Sequence, residues 1–151
     1  MRIVARAFVK NLDWKFLMTK HRWKNIWVLP GWWVEGKESI FKCIKRELRE
    51  EFNIKINIIW DSVELKSEKI IKSYVNPICS YKIEFENRNK ILKKRLEHIF
   101  LVEIISDTND IEIQEEEIWE YKFFSLDEII NLEDTYDQIK ELALYLKESD
   151  K

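Results

Sequence analysis

Residues 38–52 restrict the fold more than any other stretch of the chain. Ile40, Phe41, Ile44, Leu48 and Phe52 recur at helical spacing, so a helix here must lay one side on a core. Lys42, Lys45, Arg46 and Arg49 gather on the far side. Glu47, Glu50 and Glu51 stand at i, i+3 and i+4, with Glu47 and Glu51 at the edge of the apolar stripe and Glu50 just beyond. A solvated helix face would mix its signs, placing Lys four residues after Glu. Like charges at this spacing repel by roughly a few tenths of a kcal/mol per pair in water. They cost more beside a core unless a counter-ion is present. Two readings follow: the acid-rich flank of an ordinary charged helix, or oxygen ligands for a hard divalent cation. Mg²⁺ typically takes one or two carboxylates together with the phosphates of a substrate.

The residues upstream bear on that choice. Trp27-Val28-Leu29-Pro30-Gly31-Trp32-Trp33-Val34-Glu35-Gly36-Lys37-Glu38-Ser39 leads directly into the helix. With Arg46-Glu47-Leu48-Arg49-Glu50-Glu51-Phe52-Asn53-Ile54 it resembles the Nudix box, the signature of the Nudix hydrolase superfamily. That box reads Gly, five residues, Glu, seven residues, Arg-Glu-aliphatic-x-Glu-Glu-x-Gly-aliphatic. Glu38 stands eight positions before Arg46, and Leu48 and Ile54 fill the aliphatic places. Every charged position matches. Both box glycines are replaced, by Trp32 and Asn53. Asn tolerates the left-handed conformation that commonly ends a helix. Trp32 is the larger change: it either crowds the loop, offers a ring on which a base stacks, or packs over the sheet.

The resemblance implies hydrolysis of a nucleoside diphosphate linked to another moiety, with Mg²⁺ or Mn²⁺ and an attacking water. Carried over position by position, Glu47, Glu50 and Glu51 would be metal ligands, with Glu50 or Glu51 also a candidate base. Arg46 would hold a neighbouring carboxylate, and Glu38 would be structural, favoured near a helix start by the helix dipole. Many members recruit a further acid before a C-terminal element that Phe123-Phe124-Ser125-Leu126-Asp127-Glu128-Ile129 resembles. Glu115-Glu116-Glu117 precedes it, and Glu117 is the candidate auxiliary ligand or base; a solvated acidic loop is the plainer reading. Arg6 in mid-strand, Arg22 in a basic loop and Trp32 are the candidates for substrate contact. Residues 68–71 carry neither of the markers that distinguish ADP-ribose from diadenosine-polyphosphate subsets.

At 151 residues with 46% hydrophobic and 36% charged, the chain suits one soluble domain over residues 1–151. No apolar run reaches membrane-spanning length, and residues 1–4 open strand-like without signal-peptide organisation, so a cytoplasmic home is expected. Cys43 and Cys79 suggest neither a disulfide framework nor a zinc site. The net charge of −2 implies no general affinity for nucleic acid. A basic run over residues 88–95 keeps an RNA 5′ end open as a substrate, and the replaced glycine keeps open a regulatory module that binds nucleotides without turnover. A homodimer is left open.

Hydrophobic patterning predicts strands over residues 3–10, 15–20, 27–29, 54–65, 73–86, 98–105 and 118–124. It predicts helices over 38–52, 126–130 and 135–147, with residues 87–94 as a hairpin tip. The order is α+β, and the resemblance implies an α/β/α sandwich with a mixed sheet between helices.

Overall fold

Alternation in β1 (Arg2–Lys10) puts Ala5, Ala7 and Val9 into one core and Phe8 into another, so both faces of the strand need covering. The computed structural model describes residues 1–22, 24–114, 116 and 118–149. Along the chain follow β2 (Phe16–His21), β3 (Gly31–Trp33), α1 (Ile40–Phe52), β4 (Ile56–Ile59) and β5 (Cys79–Glu86). β6 (Leu92–Ile104), β7 (Ile118–Phe124), α2 (Leu126–Ile130) and α3 (Asp137–Glu148) complete it. The strands form one mixed sheet of order β4-β6-β1-β2-β7, with β3 added on β1 and β5 on β6. The β1–β6 pairing is parallel and the others antiparallel.

Residues 28–33 split this sheet. β1 and β2 pair at Lys10 and Phe16, and beyond that point the approach to α1 runs between them. Val28 exchanges backbone hydrogen bonds with Thr19 at 2.9 Å, the Ala7 N–H donates to the Pro30 carbonyl at 3.0 Å, and β3 pairs Gly31 with Arg6. Pro30 has no N–H to continue a ladder, so the strand expected over 27–29 reduces to a single bridge at Val28.

The far edge of β6 is shared in the same way. β5 occupies it from Leu92 to Ile99 and β4 from Leu101 to Ile104. Two strands cannot use one edge at once, so the strands expected over 54–65 and 73–86 shorten to Ile56–Ile59 and Cys79–Glu86. β6 itself starts earlier than expected. The Asn87 side-chain oxygen accepts from the N–H groups of Asn89 and Ile91, and Lys90 takes a left-handed φ of 59°, which closes the turn within five residues. Lys93, Lys94 and Arg95 are therefore strand residues and not a hairpin tip.

α1 buries Cys43, Ile44, Leu48 and Phe52 against Ala5, Ala7, Val9, Phe100 and Val102. α2 and α3 bury Ile129, Ile139, Leu142, Ala143 and Leu146 against Phe8, Phe16 and Met18 on the other face. Each large apolar side chain so placed contributes about 1.5–3 kcal/mol. The result is the α/β/α sandwich that the sequence led us to expect.

Candidate active site

α1 is fixed at both ends. The Ser39 hydroxyl accepts from the Lys42 N–H at 3.2 Å, an N-cap that satisfies one of the free donors of the first turn. Asn53 takes φ 57° and ψ 43°, and its N–H returns to the Arg49 carbonyl at 3.0 Å. Its side-chain amide also donates to the Asp110 carbonyl at 3.1 Å, so the replaced glycine gains a tie to the loop before β7. That loop is bound to the acid end of the helix: the Gln114 N–H donates to the Glu51 carbonyl at 2.9 Å and the Glu112 N–H to the Phe52 carbonyl at 3.1 Å. Glu117 lies outside the described residues. The chain just beyond it resumes at Ile118, whose N–H donates to the Gln114 carbonyl at 3.2 Å.

Arg46 organises the acids. Its Nε and Nη2 donate to the two oxygens of Glu38 at 2.8 and 2.9 Å, a fork-on-fork pair. Its Nη1 reaches Glu47 at 2.9 Å and Glu50 at 3.0 Å. The segregated carboxylates thus have an internal counter-charge, which the helical wheel had put on the opposite side. Glu38 stands one residue before the cap and works through Arg46, not through the helix dipole. The hydrogen bond from Arg46 holds the Glu38 carboxyl below its ordinary pKa, and Glu38 in turn pushes the guanidinium up. One turn before Glu47, burial first and then the charges of Glu38 and Glu47 push the Cys43 thiol up to about 11, so it stays protonated at neutral pH.

Glu47 and Glu51 are half-buried and Glu50 is exposed. Three carboxylates within two turns are the donor type that a hard divalent cation takes. Among the described residues no three acids already converge on one point, because Nη1 of Arg46 draws Glu47 and Glu50 to itself. Loading an ion at Glu47 and Glu50 requires those Nη1 contacts to yield, while the two bonds to Glu38 keep the guanidinium in place. In donor type and in spacing along one flank of α1, the set suits such an ion.

The remaining sequence candidates are dispersed. Arg6 is tied down from both sides, with Nε on Glu97 at 3.0 Å and Nη1 on the Leu29 carbonyl at 3.1 Å. It lies so close to Gly31 that a Cβ there would sit 2.6 Å from Nη1. Arg22 is exposed in the turn after β2. Trp32 is only 5% exposed and belongs to the core under α1. The stacking surface suggested for it is therefore corrected: the ring packs, its backbone is an ordinary extended strand residue, and only its Nε1–H lacks an acceptor among the described residues.

One group escaped the sequence reading. Glu97 is 1% exposed and accepts from Arg6, from the Tyr81 hydroxyl at 2.7 Å and from Arg95. Burial alone would raise its pKa; Arg6, Tyr81 and Arg95 outweigh it and hold the carboxyl below the ordinary value. Its signal was an acid in register with Ile99 and Leu101, where a strand should be apolar.

The NUDIX domain family model matches residues 1–145, and the chain belongs to that family. It is thereby a Nudix-type pyrophosphohydrolase by class. The fold is similar to that of a NUDIX-family hydrolase from Clostridium perfringens, at 17% identity with 97% of each chain covered and a TM-score of 0.68. A MutT protein from Methanosarcina mazei Go1 is similar at 21% identity, covering 98% of this chain and 96% of that one with a TM-score of 0.67. An Ap4A hydrolase from C. elegans is similar at 18% identity, with 97% and 96% covered and a TM-score of 0.67. No curated protein matches the sequence.

Proposed function

We propose that this protein hydrolyses a phosphoanhydride bond in a nucleoside diphosphate linked to a further group, using Mg²⁺ or Mn²⁺ held by Glu47, Glu50 and Glu51. The observation that carries this reading is the Arg46 cluster: a guanidinium anchored on Glu38 gathers Glu47 and Glu50, two of the three proposed ligands, on the α1 flank that also bears Glu51. When bound, the ion neutralises charge on the bridging phosphoryl oxygens and makes an attacking water more acidic. Glu50, Glu51 or Glu117 takes the proton from that water. Arg22, exposed after β2, meets phosphate. Arg6 acts by position: with Nη1 on the Leu29 carbonyl and its side chain against Gly31, it holds the strand that enters α1. The binding-only reading loses its motive, since Trp32 packs in the core with an extended backbone. No helix among the described residues is long and apolar enough to cross a membrane. A cytoplasmic home and a single domain over residues 1–151 complete the proposal.

Incubation with nucleoside triphosphates, nucleotide sugars, ADP-ribose, dinucleoside polyphosphates and 5′-triphosphorylated RNA, followed by mass analysis, tests the assignment. Cleavage of at least one anhydride should require Mg²⁺ or Mn²⁺ and stop with chelator. Glu51→Gln should lower turnover by at least about a hundredfold at unchanged melting temperature, because it removes charge where the ion binds. Wild-type rates in that variant, or cleavage indifferent to chelator, would overturn it.

A further inference from the structure

Arg2, Trp33 and the β5–β6 hairpin enclose an open cleft of about 750 Å³, lined by none of the α1 glutamates. That is within the range of small-molecule sites. One arrangement occurs twice in its walls. The Arg2 guanidinium lies 3.3 Å from the centroid of the Trp33 ring, and that of Arg95 lies 4.3 Å from the centroid of Phe85. Trp33 is 48% exposed although its neighbour Trp32 is buried. Lys93 and Lys94 add two exposed cations, neither with an ion-pair partner among the described residues. Arg95 is already paired with Glu97, so Arg2, Lys93 and Lys94 stand against one lining acid, Glu84, in a chain whose net charge is −2. The charge is therefore concentrated here, and concave walls focus it.

The cleft is also built on fixed supports. Arg95 is paired with the buried Glu97, which Arg6 and Tyr81 hold in turn. The Trp33 carbonyl accepts from the Cys43 thiol at 3.9 Å, which joins the aromatic wall to α1 one turn before Glu47.

We propose that this cleft takes the nucleoside of the substrate together with a phosphate on its 3′ side. Trp33 and the guanidinium over it provide flat surfaces for a base. Lys93, opposite Phe85 and on the face of Arg95, and Lys94, opposite Glu84, line the cleft from the two faces of β6, and no α1 glutamate lines it. The two lysines call for negative charge on the nucleoside itself, beyond the anhydride being cleaved. A 3′-phosphorylated nucleotide has that charge, and so does the first residue of an RNA chain. The inference deepens the hydrolase reading and rests on it for the nature of the ligand.

Calorimetric titration in chelator, where no turnover is expected, separates the two. AMP, adenosine 3′,5′-bisphosphate and a 5′-phosphorylated triadenylate share a base and differ in phosphate. The bisphosphate and the triadenylate should bind at least about tenfold more tightly than AMP at low salt. Lys93→Ala/Lys94→Ala should bring both to the AMP level and flatten their salt dependence, as expected when two phosphate contacts go. Trp33→Ala should weaken all three by about tenfold, the scale of one lost base stack, and Trp33→Phe should recover part of it. Equal affinity for AMP and the bisphosphate, or a preference that survives the double lysine variant, overturns the proposal. A triadenylate bound more tightly than the bisphosphate identifies an RNA chain as the source, and equal binding identifies a small nucleotide; both support the cleft. Failure of the hydrolase reading would show separately, as absence of turnover when Mg²⁺ or Mn²⁺ is restored.

Discussion

Replacing Glu97 by Gln isolates the charge that holds one side of the sheet together. Gln keeps the shape and can still accept from Arg6 and Tyr81 through its carbonyl oxygen. Its amide group, however, turns N–H donors toward the Arg95 Nε, and two guanidiniums lose a shared counter-charge. Removing one partner from a buried ion pair costs about 3–5 kcal/mol. Here Arg6 and Arg95 keep 20% and 21% of their side chains exposed and can regain water, which points to the lower end, about 3 kcal/mol. A domain of this length loses about 2–4 °C per kcal/mol, so the midpoint should fall by about 6–12 °C. The folded pKa of Glu97 lies below its ordinary value of 4.5. Its stabilisation is therefore complete above that value and is lost as pH falls through the lower folded one. The gap between wild type and variant should stay constant through neutral pH and narrow in acid. Urea and thermal melts followed by circular dichroism from pH 7 to pH 3.5 measure both effects. A gap under about 1 kcal/mol at pH 7, or one unchanged in acid, would refute the reasoning.

Two more substitutions probe the helix. Arg46→Lys supplies one point charge where a fork now spans Glu38, Glu47 and Glu50, so turnover should fall about tenfold or more while urea stability changes by less than about 1 kcal/mol, the scale of exposed ion pairs. Steady-state kinetics beside a denaturation curve decides it, and full activity in the lysine variant would remove Arg46 from the site. Asn53→Ala places a Cβ without a compensating amide at φ 57° and cuts the tie to Asp110; a loss of about 1–2 kcal/mol is expected in urea, whereas Asn53→Gly should keep most of the stability. Equal stability of the two variants would show that the left-handed backbone is not what Asn53 is chosen for.

Helix α1 and its left-handed end at Asn53 were legible in the linear chain because they are local, whereas the pairing of Glu38 with Arg46 was not, since the wheel set Arg46 opposite the acids. Spacing of 3.6 residues and an Asn at the end of the apolar stripe carry that information within one segment. The lengths of β4, β5 and β6 were not, since alternation marks which residues can form a strand but not how three strands divide one edge. Trp32 and Trp33 make the same point for the site. Adjacent and identical in type, they were interchangeable as letters, and pairing of β3 with β1 sent one into the core and left the other beside Arg2. Arg6 and Glu97 are 91 positions apart, and their contact exists because β1 and β6 run parallel side by side. Burial and partnership between distant residues come from the register of the assembled sheet, and no local pattern encodes it.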